Sequence, residues 1–188
     1  MIFATRLMAP TLLAALLAAS AAHAAGWSVD PAKSTIRFAG MASGEAFSGS
    51  FKTFTATIDF DPAAPQGGHA LVVVDTASAG TGDAQKDELM PSADFFDVSA
   101  FPKATFEAKG FKPLGDARYQ ADGTLTIRDK VLPVTLPFQF TQTGTTAHAV
   151  GSVELKRQDY GVGQNAWAAD DNVASAVTVT IDLFATGK

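Results

Sequence analysis

Residues 123–140 read GTLTIRDKVLPVTLPFQF. Two runs in this stretch alternate apolar with polar side chains. In the first, Leu125 and Ile127 alternate with Thr124, Thr126 and Arg128. In the second, Val134, Leu136, Phe138 and Phe140 alternate with Thr135, Pro137 and Gln139. Successive side chains of a strand point to opposite faces, so period two marks a half-buried strand. Asp129-Lys130 lies between the runs at hairpin spacing. Aspartate tolerates positive φ, which predicts the turn at that pair.

The same period recurs in both directions. Ile36 and Phe38 alternate with Thr35 and Arg37, and Phe54, Ala56, Ile58 and Phe60 with Thr55, Thr57 and Asp59. Val153 and Leu155 alternate with Ser152 and Glu154. Val177, Val179, Ile181 and Leu183 alternate with Thr178, Thr180 and Asp182. Leu71–Val74 is unbroken and predicts burial on both faces. Loops are expected at 61–68 and 112–116, and a hairpin tip at Thr143-Gly144-Thr145. About eight short strands at regular spacing give a sandwich or a barrel. Residues 83–90 (DAQKDELM) interrupt the period: helix formers follow an N-capping aspartate and stop at Pro91. Residues 92–96 are expected to add a second helical turn. Residues 158–173 are long and irregular, as functional lids or poorly ordered segments are.

The first residues have a different character. Met1–Arg6 carries one positive charge and no acid, 7–22 is apolar, and Ala22-His23-Ala24 is a small-x-small pattern. That order predicts a cleaved signal peptide over 1–24, export to the periplasm, and one domain over 25–188. The apolar run is shorter than the ~20 residues that span a bilayer, and Pro10 interrupts it. The chain's net charge is -5, and removing Arg6 makes it -6. An acidic chain with no basic run is a poor partner for nucleic acid. With no Cys, no disulfide supports the fold.

Reactive chemistry is sparse. Past Ala24 the only histidines are His69 and His148, far apart in sequence and without a Cys partner, so no zinc set emerges. Asp170-Asp171-Asn172 is contiguous and lacks the alternation of an EF-hand loop. Ser48-Gly49-Ser50 lacks a nucleophile elbow. No catalytic residue, metal set or cofactor is assigned. Apolar side chains dominate instead. Strand parity puts Ile36, Phe38, Phe51, Phe54, Ile58, Phe60, Val72, Phe106, Leu125, Ile127, Val134, Leu136, Phe138, Val153, Val177, Val179 and Ile181 on the inner face. Such a face either fills a core or walls a ligand cavity. Composition leaves both open.

Several segments, in order, resemble the YceI-like family. Trp27-Ser-Val-Asp-Pro-x-x-Ser34-x-Ile36-x-Phe38 is similar to its opening and Gly49-Ser-Phe51-x-x-Phe54 to its second strand. Phe95-Phe96-Asp97-Val98 and Phe101-Pro102-x-Ala104-x-Phe106 resemble its middle, and Arg157-Gln158-Asp159-Tyr160-Gly161 its late strand-to-loop signature. The resemblance spans Trp27 to Leu183. It implies an all-β, antiparallel, eight-stranded lipocalin-like barrel with a short helical insertion near 83–96. It also implies a bound polyisoprenoid, an isoprenoid quinone among the candidates, and no catalysis. A membrane b-type cytochrome and a second copy of the chain, as a homodimer, are the partners it suggests. Lys86, Asp87, Arg128 and Arg157 are the head-group candidates at the mouth. Two departures bear on that mouth: Lys86 stands where the family has Arg, and Asp129-Lys130-Val131-Leu132 where it has Gly-Val-Thr-Lys. The rival readings are an enzyme using Asp159, Asp170 and Asp171 on such lipids, and a packed-core interaction protein.

Overall fold

The computed structural model describes residues 26–188, so the expected signal peptide lies outside the described residues. The strands are β1 (Gly26–Val29), β2 (Thr35–Ala42), β3 (Glu45–Phe51), β4 (Phe54–Asp59), β5 (His69–Asp75), β6 (Ala79–Gly80), β7 (Lys103–Gly115), β8 (Arg118–Ile127), β9 (Lys130–Thr143), β10 (Thr146–Lys156) and β11 (Ala176–Gly187). All pairings are antiparallel. The sheet runs β1-β4-β5-β7-β8-β9-β10-β11 and closes because β1 also pairs with β11.

These eleven segments occupy eight positions around the ring. β11 takes β2 along Thr178–Asp182 and β1 along Ala185–Gly187. β1 and β2 are therefore one position, interrupted at 30–34. β3 pairs with β2 as β4 pairs with β1, and β6 pairs with β3 as β5 pairs with β4. The interruption at 30–34 is sealed against β11. Phe184 O accepts from Asp30 N at 2.8 Å, and the Ser34 hydroxyl accepts from Phe184 N at 2.9 Å. The result is the eight-stranded antiparallel barrel that the sequence and its family resemblance lead one to expect.

Four local expectations are corrected. The β8–β9 turn is Arg128-Asp129, and the positive φ (55°) falls on Arg128. β7 runs on through Pro113 to Gly115, and its turn is Asp116-Ala117, both with positive φ. The helix α1 spans Ala84–Leu89, capped by Asp83, but 90–100 is a chain of turns and not a second helical turn. Leu71–Val74 is not buried on both faces: all four are half-buried, and only Val72 and Val74 line the barrel interior. No helix among the described residues is long and apolar enough to cross a membrane.

The two ends of the barrel differ. One end has two two-residue turns, the 60–68 connection and an aromatic cluster. The Phe60 ring lies 5.0 Å from Phe111, 4.9 Å from Tyr119 and 4.8 Å from Phe140. Trp27 packs edge-on to Phe140 and donates its indole N–H to Phe60 O at 2.8 Å. The other end carries the two long connections, 76–102 and 157–175.

Candidate functional site

Between the two ends lies a cavity of about 280 Å³, close to the ~300 Å³ lower bound of small-ligand sites. Its wall is hydrocarbon apart from Thr105, Arg157, Tyr160, the Met90 thioether and the Trp27 indole. All the residues selected by strand parity stand on this wall except Phe54. Phe54 is buried against Ile36 and Leu183, and its ring is screened from the open space.

The wall also takes large strand residues left out of that selection (Trp27, Val29, Phe47, Val74, Phe111, Phe140, Leu155 and Leu183), and two further groups that parity did not single out. The first is small: Ala70, Ala104, Ala121, Ala147, Ala149 and Ala185. Alanine in a strand carries little hydrophobic signal, yet here it leaves the volume that Leu or Phe would fill. The pattern was visible as Ala104-x-Phe106-x-Ala108, where small and large residues share one parity. The second group comes from the long connections: Met90, Phe95, Phe96, Tyr160, Val162 and Val173. These sit outside any period, and only the folding of the connections over the barrel end brings them in. Phe96 packs on Phe51 at 5.8 Å between centroids.

Two arginines hold that cover. Arg157 is 5% exposed and lines the cavity. Its five N–H donors all go to backbone carbonyls. Nε donates to Ala174 O (3.1 Å), Nη1 to Val162 O (2.9 Å) and Gly163 O (3.3 Å), and Nη2 to Ala169 O (3.0 Å) and Val173 O (2.6 Å). Burial lowers the Arg157 pKa, with Asp170 acting against it. Arginine nonetheless stays charged in proteins. Gly163 has φ of +83°, and a Cβ there would collide with Arg157 Nη1, so only glycine lets the guanidinium reach. Arg128 holds the other segment. Its Nη1 donates to Ala93 O (2.8 Å) and Phe95 O, Nη2 lies 3.8 Å from Asp97, and the guanidinium sits over the Phe101 ring. These bonds hold a non-glycine residue in a left-handed turn that costs about 1–2 kcal/mol. The segments also join each other: Gly163 N and Gln164 N both donate to Asp94 O at 2.8 Å, and the Asn165 amide donates to Asp94 at 2.7 Å.

The other head-group candidates are engaged locally. Lys86 Nζ pairs with Asp83 at 2.6 Å on the exposed face of α1. Asp87 accepts from Thr81 N, the Thr81 hydroxyl and Gly82 N, and these bonds hold its carboxyl below the ordinary aspartate range. The four expected residues are therefore not gathered into one cluster. Arg157 alone of the four reaches the cavity, with no donor left over. Tyr160, 3% exposed, also lines the cavity, and burial pushes its phenol pKa up. His69 meets Glu107 at 3.3 Å, and His148 meets Asp182 at 2.7 Å while stacking on Phe184, all away from the cavity wall. No group of three His, Cys, Asp or Glu side chains among the described residues is placed to hold a metal.

The YceI-like domain family model matches residues 27–185. The chain belongs to the YceI-like family. Among its relatives is a UPF0312 protein of Azotobacter vinelandii, 30% identical over 137 residues, covering 70% of this chain and 71% of the relative. A UPF0312 protein of Vibrio cholerae is 29% identical over 165 residues, covering 83% of this chain and 87% of the relative. The crystal structure of Burkholderia cenocepacia BcnA superposes with a TM-score of 0.81 at 34% identity, covering 85% of this chain and all of that one. A polyisoprenoid binding domain from Saccharophagus degradans, implicated in plant cell wall breakdown, gives 0.62 at 16% identity over 88% of this chain and 99% of that one, a likeness of fold.

Proposed function

We propose that this YceI-like barrel binds the apolar tail of a polyisoprenoid or a similar long-chain amphiphile, and that it carries or sequesters this lipid without transforming it. The observation that carries the reading is the cavity itself: it lies inside the barrel, is walled almost wholly by apolar side chains, and is lined by a guanidinium whose donors are already spent. A fully packed core would leave no such space. The fold shared with a polyisoprenoid binding domain supports the same choice. Each buried CH₂ contributes ~0.8 kcal/mol before ordering costs, so a few isoprene units reach useful affinity with no strong polar contact. An isoprenoid quinone fits the same description. The N-terminal signal pattern supports a periplasmic place of action.

Purification from its host, organic extraction and mass spectrometry test this directly. About one lipid per chain is expected. A protein that releases none, and that takes up no prenyl alcohol added to it, would refute the reading.

A further inference from the structure

The ladder between β9 and β10 stops in mid-strand. It runs from Thr143 opposite Thr146 to Phe138 opposite Gly151. Beyond that point β9 stays paired with β8 down to Lys130, and β10 stays paired with β11 up to Lys156. Both strands continue, but no longer beside each other. Pro133 and Pro137 fall in this half of β9, and neither has an N–H to give, as an unpaired edge allows. The slit between the strands is a cleft of about 320 Å³. It shares Val134, Val153, Leu155 and Tyr160 with the central cavity, so one set of side chains separates the two spaces.

We propose that this slit is a lateral port, through which the tail enters and in which a neutral, hydrogen-bonding head comes to rest. The assignment builds on the reading of the cavity as a tail site. The two barrel ends carry other structure: rings pack around Phe60 at one, and the arginine-pinned cover lies over the other. The chemistry of the slit changes from inside to outside. Valine and leucine face the cavity, while Glu154, Lys156 and Asp159 line the outer part. None of these three forms an ion pair with another described residue. Tyr160 stands at the boundary, and its hydroxyl bonds to no described group, leaving a neutral phenol for a ligand oxygen.

The charges decide the class of head. Two carboxylates face one ammonium in the slit. Asp159 aside, the nearby cover, 76–102 and 157–175, holds seven further acids against two bases, Lys86 and Arg157, both already engaged; of the acids, Asp83 pairs with Lys86 and Asp97 lies beside Arg128. A phosphate or carboxylate head meets like charge there, which costs affinity. An alcohol, phenol or carbonyl head does not.

The cysteine-free chain permits a clean test. Thr135→Cys with Glu154→Cys places thiols on facing strands of the slit, for tethering with a bis-maleimide that contains a cleavable disulfide. Asp94→Cys with Asn165→Cys tethers the two cover segments instead. Uptake of geranylgeraniol is followed by its displacement of a fluorescent apolar dye. The slit-tethered protein is expected to load about tenfold or more slowly and to recover when reductant cuts the tether. The cover-tethered protein is expected to load like the wild type. Unimpeded loading through a tethered slit, or a block by the cover tether, would overturn the port. If the wild type itself takes up no geranylgeraniol, the tail site fails along with the port. Geranylgeranyl phosphate is expected to bind about tenfold more weakly than the alcohol, the equivalent of ~1.4 kcal/mol. Equal or tighter binding of the phosphate would overturn the head assignment.

Discussion

The two ends of this barrel are shut by different physics. At the aromatic end the strands do the closing. Rings from β1, β7, β8 and β9 meet Phe60, itself 2% exposed and carried by the 60–68 connection, while the other two connections at this end are two-residue turns. Burial of apolar area stabilises that end, and no charged group takes part. At the other end the cover lies outside the ladder. Arg128 and Arg157 hold it through backbone carbonyls distant in sequence. One end is a plug and the other a clamped lid.

The largest effect should come from removing the plug. Phe60→Ala opens a void among four rings and is expected to cost about 3–5 kcal/mol in a urea melt. A loss below about 1 kcal/mol would mean that the rings do not anchor the fold. Arg157→Ala should act differently. It strips partners from five carbonyls, which the cover can escape by moving into water. A global loss of about 1–3 kcal/mol is expected, with amide exchange across 158–174 accelerating far more than at β7 or β8. Arg157→Lys should not restore protection, because one ammonium cannot reach all five acceptors. Uniform acceleration over the whole barrel would erase the distinction between the ends.

Arg128 separates clamp from strain. Arg128→Ala keeps the left-handed turn and loses the clamp, whereas Arg128→Gly loses the clamp but relieves the turn. The glycine variant should be the more stable by about 1 kcal/mol in paired melts. If the two are equal, the turn is unstrained. The smallest effect is on acidity. Bonds from Thr81 and Gly82 hold the Asp87 carboxyl below the ordinary aspartate value of 3.8. A depressed aspartate contributes stability that is full above its unfolded pKa and lost as pH falls through its folded one. Amide exchange of 81–89 should therefore rise only below about pH 3.8, and Asp87→Asn should abolish that dependence. A rise beginning well above that pH would assign it to another group.

The lid was the part least legible in the sequence. Its helix was readable, since Asp83 caps α1 as its position before a helix-forming run requires. Its closure was not. Arg157 reads as a surface or head-group charge until its carbonyl partners are seen, and those partners lie up to 17 residues away. The turn at Arg128 was misplaced by one residue because positive φ was assigned by local preference, whereas distant carbonyls of 93–95 hold it. The seventeen wall candidates fared better in position, with Phe54 screened from the cavity, because parity is a local property of the backbone. The alanines that create the space were missed, since parity was applied only to large side chains, and Phe47, Phe111 and Phe140 were left out as well.

The order of strands, the face each presents and the apolar character of the interior were written in the chain. Period two follows from backbone geometry and survives any tertiary arrangement. Period two alone left sandwich and barrel open, and the family resemblance pointed to the closed ring; neither stated that three of its positions would be broken, or that β9 and β10 would part beyond Phe138. Closure and separation depend on register between residues far apart in sequence. No short-range pattern encodes such distances, so only the assembled fold decided between a filled core and a hollow one.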